Sequence, residues 1–183
     1  MGAVPGRECG SCSVCCKVLP IDTDELQKQA GVACTHCIAA GGCGIYTTRP
    51  RVCRGYYCGW MTMPDLGDDW RPDKSGVFIN APGSDIPPHF ENRNGIELMI
   101  GSARVLDQQP FVDLVCILVE RQVPVFLAIP GPAGHFPVNI LMNDDLAEPV
   151  SLKDRPRVAA ILAAMLGKLS ECTFVPVPTR PSR

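Results

Sequence analysis

Nine of the chain's eleven cysteines fall between residues 9 and 58, in three runs that read CGSCSVCC, CTHC and GGCGIYTTRPRVCRGYYC. Thiolates two residues apart can converge on one soft cation, because the turn between them brings the sulfurs to the same side. Residues 1–60 therefore read as a cysteine-rich metal-binding module. Its candidate metal ligands are Cys9, Cys12, Cys15, Cys16, Cys34, Cys37, Cys43, Cys53 and Cys58. A chain of 183 residues that is 46% hydrophobic can bury an ordinary core without cross-links. The cysteines are thus not needed as staples for a very small fold.

The N-terminal MGAVPGRECGSC has no apolar run, and Gly6 stands where a myristoylation motif requires Ser or Thr. No segment approaches the roughly 20 apolar residues that span a bilayer. The chain is expected to be cytoplasmic, without membrane attachment. In that reducing compartment clustered cysteines are metal ligands or redox groups more often than disulfides, and an odd total of eleven fits a closed disulfide framework poorly.

The net charge of −2 is unevenly placed. Residues 1–60 carry six basic side chains (Arg7, Lys17, Lys28, Arg49, Arg51, Arg54) against four acidic, so the excess positive charge sits beside the thiols. Four thiolates around a divalent ion, or around an iron–sulfur cube, keep a net negative charge that arginine N–H groups offset. Nothing resembles a polybasic nucleic-acid footprint, so no nucleic-acid partner is expected.

Along the module, Cys9, Cys12 and Cys15 are spaced like the first three ligands of a ferredoxin run, but Cys16 follows at once. Side chains of adjacent cysteines diverge, so Cys15 and Cys16 either feed two sites or include one packed or exchangeable thiol. Asp22 to Ala30 reads as a short helix that returns the chain to the first cysteines, with Gly31 closing it. His36 is a nitrogen donor between two thiols, with a neighbouring or exposed role as its default. Gly41, Gly42 and Gly44 let backbone approach Cys43 closely. Tyr46, Tyr56, Tyr57 and Trp60 form the dense aromatic cluster, expected to shield the site.

These residues resemble the YkgJ-like cysteine-cluster family, the CxxCxxCC proteins described as zinc- or iron-chelating domains. The resemblance covers about residues 9–60 through CxxCxxCC joined to GCGIYTTRPRVCRGYYC. It implies that Cys9, Cys12, Cys15, Cys16, Cys34, Cys43, Cys53 and Cys58 are the family's positions. Cys37 is an extra thiol, and either Cys34 or Cys37 takes the family role.

Residues 61–75 are polar and turn-rich and read as a connection; residues 76–172 read as an α+β region, and residues 173–183 as a disordered tail. Strands are expected at 76–80, 96–102, 123–129 and 136–142, the last two as a hairpin. Helices are expected around Phe111–Leu118 and from Asp154 to Leu169. Asp144 and Asp145 read as a turn. The fold class is accordingly α+β: the cysteine module, then a mainly antiparallel sheet of about four strands with two helices on one face. Cys116 reads as a buried small hydrophobe, and His89, His135, Asp68 and Asp69 as solvent-facing residues.

No HExxH, phosphate-cradling glycine loop, GxSxG or dinucleotide fingerprint occurs. Two functions are consistent with the sequence. The first is a non-catalytic metal-binding protein holding one or two zinc ions, with a metal-delivery or protein-docking role. The alternative is an iron–sulfur redox protein, or a component of an enzyme system whose α+β region binds substrate or partner. Zinc is preferred, since the cysteines come as pairs scattered over some fifty residues.

Overall fold

Between the cysteines the chain has neither the length nor the apolar periodicity that holds a long helix together. The structure, a computed structural model, describes residues 2–82, 86–90 and 93–178. It divides into two compact units: Met1–Phe78, Pro130–Pro137 and Phe174–Arg183 form the first, and Ile79–Ile129 with Val138–Thr173 the second.

In the first unit the regular elements are no more than five residues long. They are α1 (Val14–Val18), β1 (Ile21–Asp22), β2 (Gln27–Lys28), α2 (Arg51–Arg54), α3 (Gly59–Thr62) and α4 (Pro72–Ser75), with 3-10 turns at Tyr46–Thr48 and Asp68–Trp70. The helix expected over residues 22–30 is instead a small antiparallel hairpin, pairing Ile21 with Lys28 and Asp22 with Gln27. Thr23 explains the change. Its backbone N–H bonds Leu26 O at 3.0 Å, and its Oγ1 accepts from Leu26 N at 3.2 Å, so a local turn replaces the first helical turn. Nine residues without an apolar stripe cannot recover a helix against that competition.

Arg7 holds the two ends of the module together. Its guanidinium donates to Trp60 O, Met63 O (2.8 Å) and Leu66 O, and lies 5.1 Å from the centre of the Trp60 ring. Trp60 itself donates to Gly67 O at 3.1 Å and is buried with Met61 and Leu66. The expected disordered tail is, over 174–178, part of this unit. Phe136 N donates to Val175 O and Val177 N to Gly134 O, which ties the segment down. Residues 179–183 lie outside the described residues.

The second unit has the expected α+β character. A four-stranded sheet runs in the order β3 (Val77–Asn80), β4 (Ile96–Ile100), β5 (Val125–Ile129), β6 (Val138–Leu141), the units dividing within β3. The β5–β6 pair is the expected antiparallel hairpin. β4 and β5 are parallel, so the sheet is mixed. The cause is the helical crossover between them, α5 (Gln109–Glu120), since a connection through a helix returns the chain in the same direction.

Two more helices follow, α6 (Asn143–Ser151) and α7 (Arg155–Ser170), making three where two were expected. Asp144 and Asp145, read as a turn, lie in the first turn of α6, where acidic side chains favour the helix N-terminus. The helix is seated by Asn143, whose amide donates to Val123 O at 2.7 Å and accepts from Val125 N at 2.8 Å. In α7 the Asp154 side chain accepts from Arg157 N, and Pro156 occupies the first turn. Val158, Leu162, Met165 and Leu169 are buried, as the apolar stripe requires, while Ile161 and Leu166 are half-buried. α7 packs against β5, β6, α5 and α6.

One expectation about the sheet needs correcting. Helices on a single face would leave alternate residues exposed, yet Glu97 to Ile100 and Val125 to Ala128 are buried consecutively, so both faces of β4 and β5 are shielded. The buried Glu97 accepts from Asn139 Nδ2 at 2.7 Å. Cys116 is 1% exposed within α5, as a small hydrophobe would be.

Leu162→Ala should destabilise this unit by about 2–5 kcal/mol, as truncation of a fully buried leucine does, and Asp154→Ala by about 1 kcal/mol through the lost cap. Urea denaturation followed by circular dichroism measures both. A smaller effect for Leu162→Ala than for Asp154→Ala would contradict the packing described.

Candidate metal centre

Three stretches of chain meet around one cavity because backbone is allowed to touch backbone. Gly41 and Gly42 have φ of +87° and +89°, a region closed to most side chains. A Cβ on Gly41 would lie 2.5 Å from Ser11 O, and one on Gly42 would collide with Gly10 O. The diglycine therefore packs directly on the turn between Cys9 and Cys12. That turn is closed by Cys12 N donating to Cys9 O at 2.9 Å.

The remaining cysteines are placed by equally local bonds. Cys34 N donates to Cys16 O at 2.9 Å, joining the CTHC run to α1. Cys37 pairs with Cys43 in an isolated antiparallel bridge. Cys53 sits in α2, whose first N–H, on Arg51, donates to the Glu25 carboxylate at 2.7 Å; this anchors α2 to the β1–β2 turn. Cys58 caps α3, accepting from Met61 N.

The result is a cavity of about 190 Å³ with eight thiols in its walls: Cys9, Cys12, Cys15, Cys16, Cys34, Cys43, Cys53 and Cys58. Cys37 does not line it. His36, Tyr46 and Arg49 are its polar neighbours, and Leu19, Ile21, Leu26, Ile45 and Met61 are among its apolar ones. Of the expected aromatic shield, Tyr46 and Tyr56 line the cavity and Trp60 is buried, but Tyr57 is 38% exposed. His89 and His135 lie away from the thiols: His89 stacks on Phe90 and stands 3.7 Å from Asp144, and His135 bonds Ala133 O.

Burial makes four of these thiols hold their protons more firmly. It pushes Cys12 up to about 11 and raises Cys9, Cys53 and Cys58. Burial likewise raises Cys37. The vicinal pair behaves differently. The Cys15 and Cys16 sulfurs are 3.9 Å apart; Cys15 donates to Cys16, which holds the Cys15 proton more firmly and brings Cys16 down to about 6. Lys28 and Arg49 also favour the Cys16 thiolate.

These two cations had no distinguishing signal in sequence beyond general basicity. Lys28 reaches back over the CTHC run, donating to Lys17 O, Gln29 O and Val32 O at 2.8–3.1 Å. Burial lowers its pKa, and nearby thiolates oppose that. Arg49 lies 4.0 Å from the centre of the Tyr46 ring, and its Nε is buried with no hydrogen-bond partner among the described residues. A buried N–H without an acceptor is costly. Placed in a wall of thiols, it suits anionic sulfur.

Among the described residues, no group of three or more His, Cys, Asp or Glu side chains is drawn together tightly enough to form a ready-made metal cage. The donor set nevertheless fits a thiophilic metal in kind: soft sulfurs on one cavity, cationic neighbours, and few competing oxygen donors. No helix among the described residues is long and apolar enough to cross a membrane. No protein-family model, curated protein or solved structure matches the chain.

The two thiols at the extremes give a direct test on reduced, metal-free protein. Alkylation follows the thiolate fraction, so Cys16 should react about tenfold faster for each pH unit gained below pH 6 and level off above it. Cys12 should keep accelerating through pH 9, because its thiol is held up near 11. Peptide mass spectrometry after brief iodoacetamide treatment reads both, and equal rates at pH 7 would refute the assignment.

Proposed function

We propose that this chain is a thiolate metal-binding protein of the YkgJ-like kind, acting in the cytoplasm as an accessory, metal-delivery or protein-docking factor. The supporting observation is that eight cysteines, drawn from stretches as far apart as Cys9 and Cys58, line a single cavity. Cys9, Cys12, Cys15, Cys16, Cys34, Cys43, Cys53 and Cys58 would hold the metal. Cys37 is the extra thiol, outside the cavity lining. Zinc in such sites is structural, and its binding free energy becomes folding free energy.

The chain's own residues then have defined parts. The Gly41–Gly42 contact positions Cys43 against the Cys9–Cys12 turn. Arg49 and Lys28 offset the negative charge that bound thiolates retain. Most of the thiols must lose a proton when they become ligands, so metal affinity rises with pH across the neutral range.

An iron–sulfur cluster is the second reading, favoured by a cavity of about 190 Å³ that is roomy for a single ion, and by the unpartnered Arg49 N–H beside the sulfurs. Such a cluster would supply electron transfer. The second unit then becomes the region that meets substrate or partner.

Metal analysis with an ultraviolet–visible spectrum, on protein purified without oxygen, decides between them. About two zinc per chain and no visible absorption is the expected result; iron with acid-labile sulfide and a brown colour selects the cluster. Cys12→Ser and Cys53→Ser should each lower metal content and destabilise the first unit, whereas Cys116→Ser should leave metal content unchanged. Full metal occupancy in both ligand variants would overturn the proposal.

A further inference from the structure

Resting on that reading, we infer that the eight cavity thiols form two separate four-sulfur sites, Cys9, Cys12, Cys15 and Cys58 in one and Cys16, Cys34, Cys43 and Cys53 in the other, meeting at the Cys15–Cys16 pair. Most backbone connections fall within one set or the other, and the Gly41–Gly42 contact with the Cys9–Cys12 turn is the one that crosses between them. Cys9 and Cys12 share one hydrogen-bonded turn, and the N-terminal segment ties that turn toward α3, through Val4 N to Met61 O at 2.7 Å and the Arg7 clamp. Cys58 stands at the start of α3. Cys34 is hydrogen-bonded to Cys16, and Cys43 is bridged to Cys37 three residues beyond Cys34.

Most electrostatic neighbours of the sulfurs fall on the same sides, with Cys16 reaching across to Cys9 and Cys15. Cys58 acts on Cys12, and Cys9 on Cys58; Cys9 and Cys12 act on Cys15. The thiols that act on Cys53 are Cys16, Cys34 and Cys43. Cys15 and Cys16 sit side by side on α1, where successive side chains point about 100° apart. Two neighbours on one helical turn can thus serve cavities on either side while their sulfurs remain 3.9 Å apart.

Substoichiometric loading tests this on the wild-type chain. Reduced, metal-free protein is given one equivalent of zinc without oxygen, alkylated, and mapped by peptide mass spectrometry. Protection should fall on four cysteines belonging to one set, and the second equivalent should protect the other four. Separately, Cys12→Ser/Cys58→Ser and Cys34→Ser/Cys53→Ser should each retain about half the wild-type zinc, with Cys116→Ser as the control. Protection that mixes Cys9 or Cys12 with Cys34 or Cys43, or that covers all eight at one equivalent, overturns the division while leaving metal binding intact. A wild-type chain that binds no zinc and no iron overturns the metal-binding reading itself. The protection experiment needs no substituted protein, so misfolding of a double variant does not rescue the inference.

Discussion

Residues 2–59 bury only Ser13, Ala30 and Gly42. None of these is a large apolar side chain, so the hydrophobic effect, which carries most folds, has little to act on in the cysteine module. Close backbone packing and local hydrogen bonds take its place: the diglycine against the Cys9–Cys12 turn, Cys34 on Cys16, the Glu25 carboxylate on Arg51 N, and Arg7 over Trp60. Such bonds are each worth only about 1 kcal/mol net. Ordering the intervening loops costs entropy with few apolar contacts in return. A proposed metal bound by Cys9 and Cys58 would tie the two ends of the module together, and the structural deficit and the excess of thiols therefore have one common explanation.

The second unit stands in contrast. Its core contains Phe111, Leu98, Leu127, Leu146 and Leu162, all nearly inaccessible, and its one inward cysteine, Cys116, sits among them as a small hydrophobe. Nothing in that core calls for a cross-link. The chain thus separates two ways of being held together, apolar packing in one unit and close backbone contact with local hydrogen bonds in the other.

How much of this was legible in the sequence follows from the same contrast. In α7 the stripe Val158, Leu162, Met165, Leu169 and the Asp154 cap agree with one another, so periodicity and capping point to the element found. In residues 22–30 no apolar stripe exists to support the cap-like Asp22 and Thr23, and the Thr23 hydroxyl settles the segment as a turn. The parallel β4–β5 pair was implicit in the helix between the strands, but strand patterns alone do not carry direction. Cysteine spacing located the cavity, because ligand-like spacing is local. It could not assign Lys28 or Arg49, whose reach to the thiols depends on loops meeting in space.

Those two cations also make the thiols unequal. Lys28 and Arg49 both act on Cys16, Lys28 also feels the charge of Cys34, and Arg49 acts on Cys9 as well. At Cys12 it is the Asp73 carboxylate, itself held in a two-point pair with Arg71 at 2.7 and 2.8 Å, whose charge opposes ionisation of the thiol. Thiolate sites retain negative charge after binding a divalent ion, and fixed cations lower the cost of holding it. A thiolate at Cys16 or Cys9 is therefore better supported than one at Cys12. That difference is built into the loops that carry Lys28, Arg49 and Asp73 rather than into the cysteine pattern.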